Sequence, residues 1–139
     1  MISRKSFILC TCFCAGLIMS CVKGLQIEIW NNTGRDIVVL SGEKKRIIKV
    51  GYHAKITRPN ENDDILVETE GRRMMFKFIF PPANYIHETR TRSIYKFQLN
   101  SDFALYVIEP ESTDIARNLP EQPRGFPIRL SGAGRALLL

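Results

Sequence analysis

A chain of 139 residues, 45% hydrophobic and 24% charged, has room for one domain with a modest core and does not have the make-up of a disordered or low-complexity segment. The formal net charge is +6, which favours anionic surfaces in general, but basic residues are not interleaved with aromatics as nucleic-acid binding would ask. All four cysteines fall in the first 21 residues (Cys10, Cys12, Cys14 and Cys21), so the rest of the chain holds neither a disulfide scaffold nor a thiolate zinc site.

In chain order, Met1 to Ser6 carries the cations Arg4 and Lys5, Phe7 to Met19 carries no charge, and Ser20 and Cys21 follow. Charge ahead of a short apolar run is the pattern of a secretory signal, here a signal helix over residues 1–20. Cys10, Cys12 and Cys14 read as apolar filler within it. The junction Leu17-Ile18-Met19-Ser20-Cys21 resembles the lipobox of bacterial lipoproteins, with Ile18 aliphatic at −3, Ser20 small at −1 and Cys21 at +1. The resemblance covers only these first residues. It implies a diacylglyceryl thioether on Cys21, cleavage between Ser20 and Cys21, and acylation of the new amino group. It further implies attachment to the bilayer through acylated Cys21. Because Val22 is not the aspartate that marks inner-membrane retention in enteric lipoproteins, it implies the periplasmic face of the outer membrane. Two or more acyl chains give stable anchoring where one does not. The rival readings are an uncleaved anchor over Phe7 to Val22, short of the ~20 apolar residues of a spanning helix, ordinary cleavage after Gly24, and a buried core strand or helix.

Residues 21–24 make a spacer, and the period-two body begins at Leu25. Leu25, Ile27 and Ile29 alternate with Gln26, Glu28 and Trp30. Asn31 to Gly34 is a turn. Asp36 to Ser41 is apolar on both faces, as a central strand is. Gly42 to Lys45 turns the chain into Arg46 to Val50, and Ala54 to Arg58 is a short strand. Ile65 to Thr69 and Arg73 to Phe80 form a hairpin around Glu70-Gly71, with Met74, Phe76, Phe78 and Phe80 along one face and Pro81-Pro82 ending it. Tyr85 to Thr89 is one of two further candidate strands. Ser93 to Leu99 and Phe103 to Glu109 form a second hairpin around Asn100 to Asp102.

That is about seven to nine short strands with turns every ten residues or so, the spacing of a small antiparallel β-sandwich over 25–110. An immunoglobulin-like sandwich is the expected fold, without the Cys…Trp…Cys pattern of antibody domains. Residues 111–139 read as an extended, proline-rich C-terminal tail, with one helical turn over Asp114 to Leu119 and a polyproline-like strap over Leu119 to Pro127.

No nucleophile-elbow, zinc-protease, dinucleotide or P-loop motif occurs, and no cofactor or catalytic residue is indicated. His53 and His87 are the only histidines and read as ordinary surface residues rather than metal ligands. Asn60 to Asp64 alternates oxygen ligands but lacks the glycine and closing glutamate of a calcium loop. Asn31-Asn32-Thr33 fits the N-glycosylation pattern. Arg72, Arg73, Arg90 and Arg92 form a candidate patch for an anionic ligand. Pro123, Phe126 and Pro127 form a candidate docking segment for a protein partner, if the strap does not fold back on its own domain. The expectation is a non-catalytic envelope lipoprotein whose sandwich binds another envelope component. The alternatives are an accessory or assembly factor that pairs through a strand edge, and a small periplasmic hydrolase in which His53 or His87 meets a carboxylate and a hydroxyl.

Overall fold

Alternating apolar residues over Leu25 to Ile29 start the first strand, and the period-two pattern recurs along the chain. The computed structural model describes residues 24–57 and 64–130. The expected signal helix, Ser20, Cys21, Asn60 to Asp63 and Ser131 to Leu139 lie outside the described residues. The strands in chain order are β1 (Gly24–Asn32), β2 (Ile37–Ser41), β3 (Lys44–Ile48), β4 (His53–Thr57), β5 (Ile65–Thr69), β6 (Arg72–Phe76), β7 (Ile86–Glu88), β8 (Arg92–Asn100) and β9 (Leu105–Val107), with a short 3-10 turn at Ala83–Tyr85. They form two sheets, a β-sandwich. One sheet has the order β4–β1–β8–β7 with β9 also on β8; the other has the order β3–β2–β5–β6. Among the described residues no helix is long and apolar enough to cross a membrane.

Turn chemistry fixes the second sheet. Ser41 pairs with Lys44 across Gly42-Glu43, and Gly42 sits at φ 59°. Glycine at the first central position is the type II′ hairpin, whose twist matches the strands. Thr69 pairs with Arg72 across Glu70-Gly71, and both turn residues have positive φ, 44° and 73°. That is the type I′ arrangement, here with a glutamate in a conformation that favours glycine or asparagine.

The first sheet is organised by a long-range pairing that no local turn dictates. β1 and β8 run parallel in register from Gly24↔Arg92 to Asn32↔Asn100. Their inward residues, Ile27, Ile29, Tyr95, Phe97 and Leu99, meet Ile37, Val39, Val67, Met74 and Phe76 of the opposite sheet. Burying a side chain of this size is worth roughly 1.5–3 kcal/mol. An aromatic series closes one flank. Phe78 meets Phe80 edge-on at 5.0 Å and Phe97 at 5.7 Å, and Phe126 stacks on Phe97 at 6.3 Å.

The outward face of β1 and β8 is also buried. Gln26, Glu28, Lys96 and Gln98 are all buried, although strict alternation would turn them to water. For Lys96 and Gln98 the chain after β9 explains the difference. Lys96 Nζ donates to Ser112 O at 2.7 Å, and Gln98 brackets Ala116, accepting from its N–H at 2.8 Å and donating to its carbonyl at 3.1 Å. The segment then returns to the core side. Gln122 brackets Val107 in the same way, and Ile128 bridges Leu105.

Several expected elements change. Over Asp114 to Leu119 there is no helical turn but a bent segment, because Gln98 takes the Ala116 N–H and carbonyl that a helix would use internally. The strand expected from Phe103 shrinks to Leu105–Val107, since Phe103 takes φ 53° in the turn and Asp102 accepts from Ala104 N–H. The arm expected over Arg73 to Phe80 leaves the ladder after Phe76, while Phe78 keeps its buried side.

Candidate functional site

The side of the sandwich where β3 and β4 lie next to each other carries the most distinctive surface. β3 is the edge of its sheet. Its sequence Lys44-Lys45-Arg46-Ile47-Ile48 is exposed at all but the last position. The two-residue turn closes on Ser41 and Lys44, so period-two alternation turns Lys44 and Arg46 toward the gap between the sheets and Lys45 and Ile47 toward the outer face. A shallow cleft between the two edge strands is lined by Lys44, Arg46, Lys55 and Ile56 among others. Among the described residues none of Lys44, Lys45 and Arg46 has an ion pair. Ile47 is 70% exposed, and Tyr52 just before β4 is 67% exposed. Cations on both faces of one open strand, next to exposed apolar side chains, can take an extended acidic segment.

The four arginines singled out from the sequence are not brought together. Arg72 and Arg73 sit beside Asp36, which follows the end of β1. Arg92 pairs with Gly24 at the start of β1. These are opposite ends of the sandwich. A cavity of about 250 Å3, open to solvent, is lined by Asp36, Glu68, Glu70, Arg72 and Arg73. Two of its carboxylates are already engaged: Arg73 Nε donates to Glu68 at 2.8 Å, and Arg35, from outside the cavity, pairs with Glu70. At the other end, Arg92 Nη1 donates to Gln26 Oε1 at 3.1 Å and opens a strand with neighbours on both sides, not an edge. Arg90 is exposed in the preceding turn.

The proline-rich strap lies on its own domain. Phe126 is half-buried on Phe97, its N–H donates to Pro123 O at 3.0 Å, and a cis bond joins it to Pro127. Pro123 and Pro127 are half-buried beside it.

Both histidines meet a carboxylate. His53 Nε2 lies 3.9 Å from Glu28 Oε1, and its ring is 4.2 Å from that of Trp30, whose indole N–H donates to the same oxygen at 3.0 Å. His87 Nδ1 lies 3.2 Å from Glu111. No hydroxyl hydrogen-bonds to either ring among the described residues, and no group of three His, Cys, Asp or Glu there is arranged for a metal ion. The buried Glu28 was not legible as special. Its only signal was a carboxylate two residues before the single tryptophan on a strand.

The Asn31 of the glycosylation pattern is wholly buried. Its amide donates to Arg35 O at 2.7 Å and Ile48 O at 2.9 Å, and its oxygen accepts from Thr33 N–H and Oγ1. A buried, fully used carboxamide is no acceptor for a glycan in the folded protein.

No family model, no curated protein and no solved structure matches this chain.

Proposed function

We propose that the protein is a bacterial envelope lipoprotein, held to a membrane by acyl chains on Cys21, whose sandwich binds another envelope component and catalyses nothing. The observation that carries this reading is the sequence Ile18-Met19-Ser20-Cys21 at the end of a charge-then-apolar leader, with β1 beginning only three positions later at Gly24. So short a spacer leaves a lipid-bearing thiol at the very foot of the fold. In this reading the end that holds Gly24, Arg92 and the Gly42-Glu43 turn stands nearest the bilayer, and the end that holds Asn32, Asn100 and the Glu70-Gly71 turn stands outermost. Val22 after the cysteine favours the outer membrane, periplasmic face.

The sandwich would be immunoglobulin-like in its layers alone. The order β4–β1–β8–β7 facing β3–β2–β5–β6 is not the ABED and CFG order of a constant-type domain. The open, cationic β3 favours a second reading within the same class, an accessory or assembly factor that pairs with a client strand.

The test is Cys21→Ser in the native host. Release from the membrane fraction, or accumulation of the unprocessed chain, is the expected result. Unchanged membrane association would assign the anchor to the apolar leader itself.

A further inference from the structure

We infer that β3 is a docking edge for an extended acidic segment of a protein partner, which adds to the second sheet as a further strand beside Lys44–Ile48. This deepens the binding role proposed above by naming the chemistry of the partner.

Three observations carry it. First, β3 ends its sheet, and the described backbone bonds outside the ladders engage none of the Lys44 to Ile47 amides or carbonyls. Alternation from the Ser41–Lys44 pair turns the amides and carbonyls of Lys45 and Ile47 to the open side. In the first sheet β9 is closed, because Gln122 occupies both backbone groups of Val107 and Ile128 bridges Leu105, and the edge strand β4 carries one lysine, Lys55, where β3 carries three consecutive cations. Second, Lys44, Lys45 and Arg46 are consecutive, so they present positive charge on both faces of the strand. By contrast Arg73, on the opposite edge strand β6, is already paired with Glu68. Third, Ile47 is 70% exposed, a position where an incoming strand could place an apolar side chain directly opposite.

The charge pattern also selects against the simplest competitor. Lysines on an edge discourage pairing with like strands. A second copy of β3 laid alongside would set cation against cation and is disfavoured. A segment that sets acidic residues on the face of Lys44 and Arg46 and apolar ones on the face of Ile47 meets both kinds of side chain and gains the ladder hydrogen bonds. Partner selection thus uses repulsion of self as well as attraction of the client.

The test uses the full chain purified in detergent, with three labelled peptides as probes: ten residues of alternating valine and glutamate, the same length of alternating valine and lysine, and the glutamate peptide N-methylated at every second residue. Fluorescence anisotropy reads binding, and hydrogen exchange reads its location. The expected result is that the glutamate peptide alone binds and that binding weakens as salt rises. The combined Lys44→Glu, Lys45→Glu, Arg46→Glu change reduces affinity at least tenfold, and the amides of Lys45 and Ile47 slow in exchange. Equal binding of the methylated and unmethylated glutamate peptides would overturn strand addition. Equal binding of the lysine peptide, or protection mapping away from residues 44–48, would overturn the site. Binding to vesicles containing phosphatidylglycerol but to none of the peptides would reassign the cations to the bilayer and overturn the proposal. The mass of the same preparation reports acylation at Cys21 separately, so loss of the anchor and loss of the edge are distinguishable.

Discussion

Gln122 stands beside Val107 as a substitute strand: its side-chain oxygen accepts from Val107 N–H at 2.9 Å and its amide donates to Val107 O at 3.0 Å. One carboxamide thereby satisfies the outward backbone groups of Val107, as Ile128 does those of Leu105, and β9 is left with no free edge. Gln98 does the reverse, reaching from the middle of β8 to bracket Ala116. The pair fastens one continuous segment to both sides of the first sheet. Gln122→Ala is expected to destabilise the fold by about 1–3 kcal/mol, since two hydrogen bonds are lost and a half-buried backbone pair is left to solvent. Chemical denaturation measures it, and hydrogen exchange should show the loss concentrated at residues 105–107. An unchanged midpoint would mean that the bracket is dispensable.

Asn31 uses all four of its hydrogen-bonding positions inside the protein. Asn31→Asp keeps the shape but places a carboxylate against the carbonyls of Arg35 and Ile48. The expected loss at neutral pH is on the order of 3 kcal/mol or more, larger than for Asn31→Ala, because a buried charge is left facing acceptors. The order of the two variants in a urea titration is the check. An aspartate variant more stable than the alanine variant would contradict the hydrogen-bond assignment.

Glu70 occupies the left-handed region at φ 44°, which costs an L residue of this type roughly 1–2 kcal/mol. Its exposed ion pair with Arg35 returns little. Glu70→Asn is therefore expected to stabilise the β5–β6 hairpin by on the order of 0.5 kcal/mol. A raised denaturation midpoint is the predicted reading, and a lowered one would show that the ion pair outweighs the turn.

Two tyrosines tie stability to alkaline pH. The hydroxyl of Tyr106 donates to Asp102 Oδ2 at 2.6 Å, and that hydrogen bond holds its pKa above the ordinary 10.0, with burial adding to it. Burial raises Tyr95, and the nearby Glu88 carboxylate raises it further. A folded-state pKa above the unfolded value means the contribution is complete below about pH 10 and is lost as pH rises through the folded pKa. Stability should fall on that alkaline limb, and Tyr106→Phe should flatten part of the fall. Phenolate absorbance in the folded protein should show both groups titrating later than in the unfolded chain.

Much of the fold was legible in local pattern. The Glu70-Gly71 hairpin, the doubly apolar β2 at the centre of its sheet and the aligned Met74, Phe76 and Phe78 all follow from period two and turn chemistry. What escaped is non-local. The parallel pairing of Gly24–Asn32 with Arg92–Asn100 joins segments with the whole second sheet between them. The buried Lys96 and Gln98 look like part of a wet face until the segment around Ser112 and Ala116 bonds to them. The candidate site was half legible. The run Lys44-Lys45-Arg46 stands in the sequence, but only the sheet order shows that it lies on an open edge. The grouping of Arg72, Arg73, Arg90 and Arg92 dissolved, because Arg72 and Arg73 lie beside Asp36 whereas Arg92 pairs with Gly24 at the other end of β1.

The envelope account is tested most directly by the intact mass of the mature protein taken from a membrane fraction of its native host. It predicts a chain that begins at Cys21 and carries the mass of a diacylglyceryl group plus an amide-linked acyl chain. A chain that begins at any other residue, or a Cys21 without acyl mass, would contradict it.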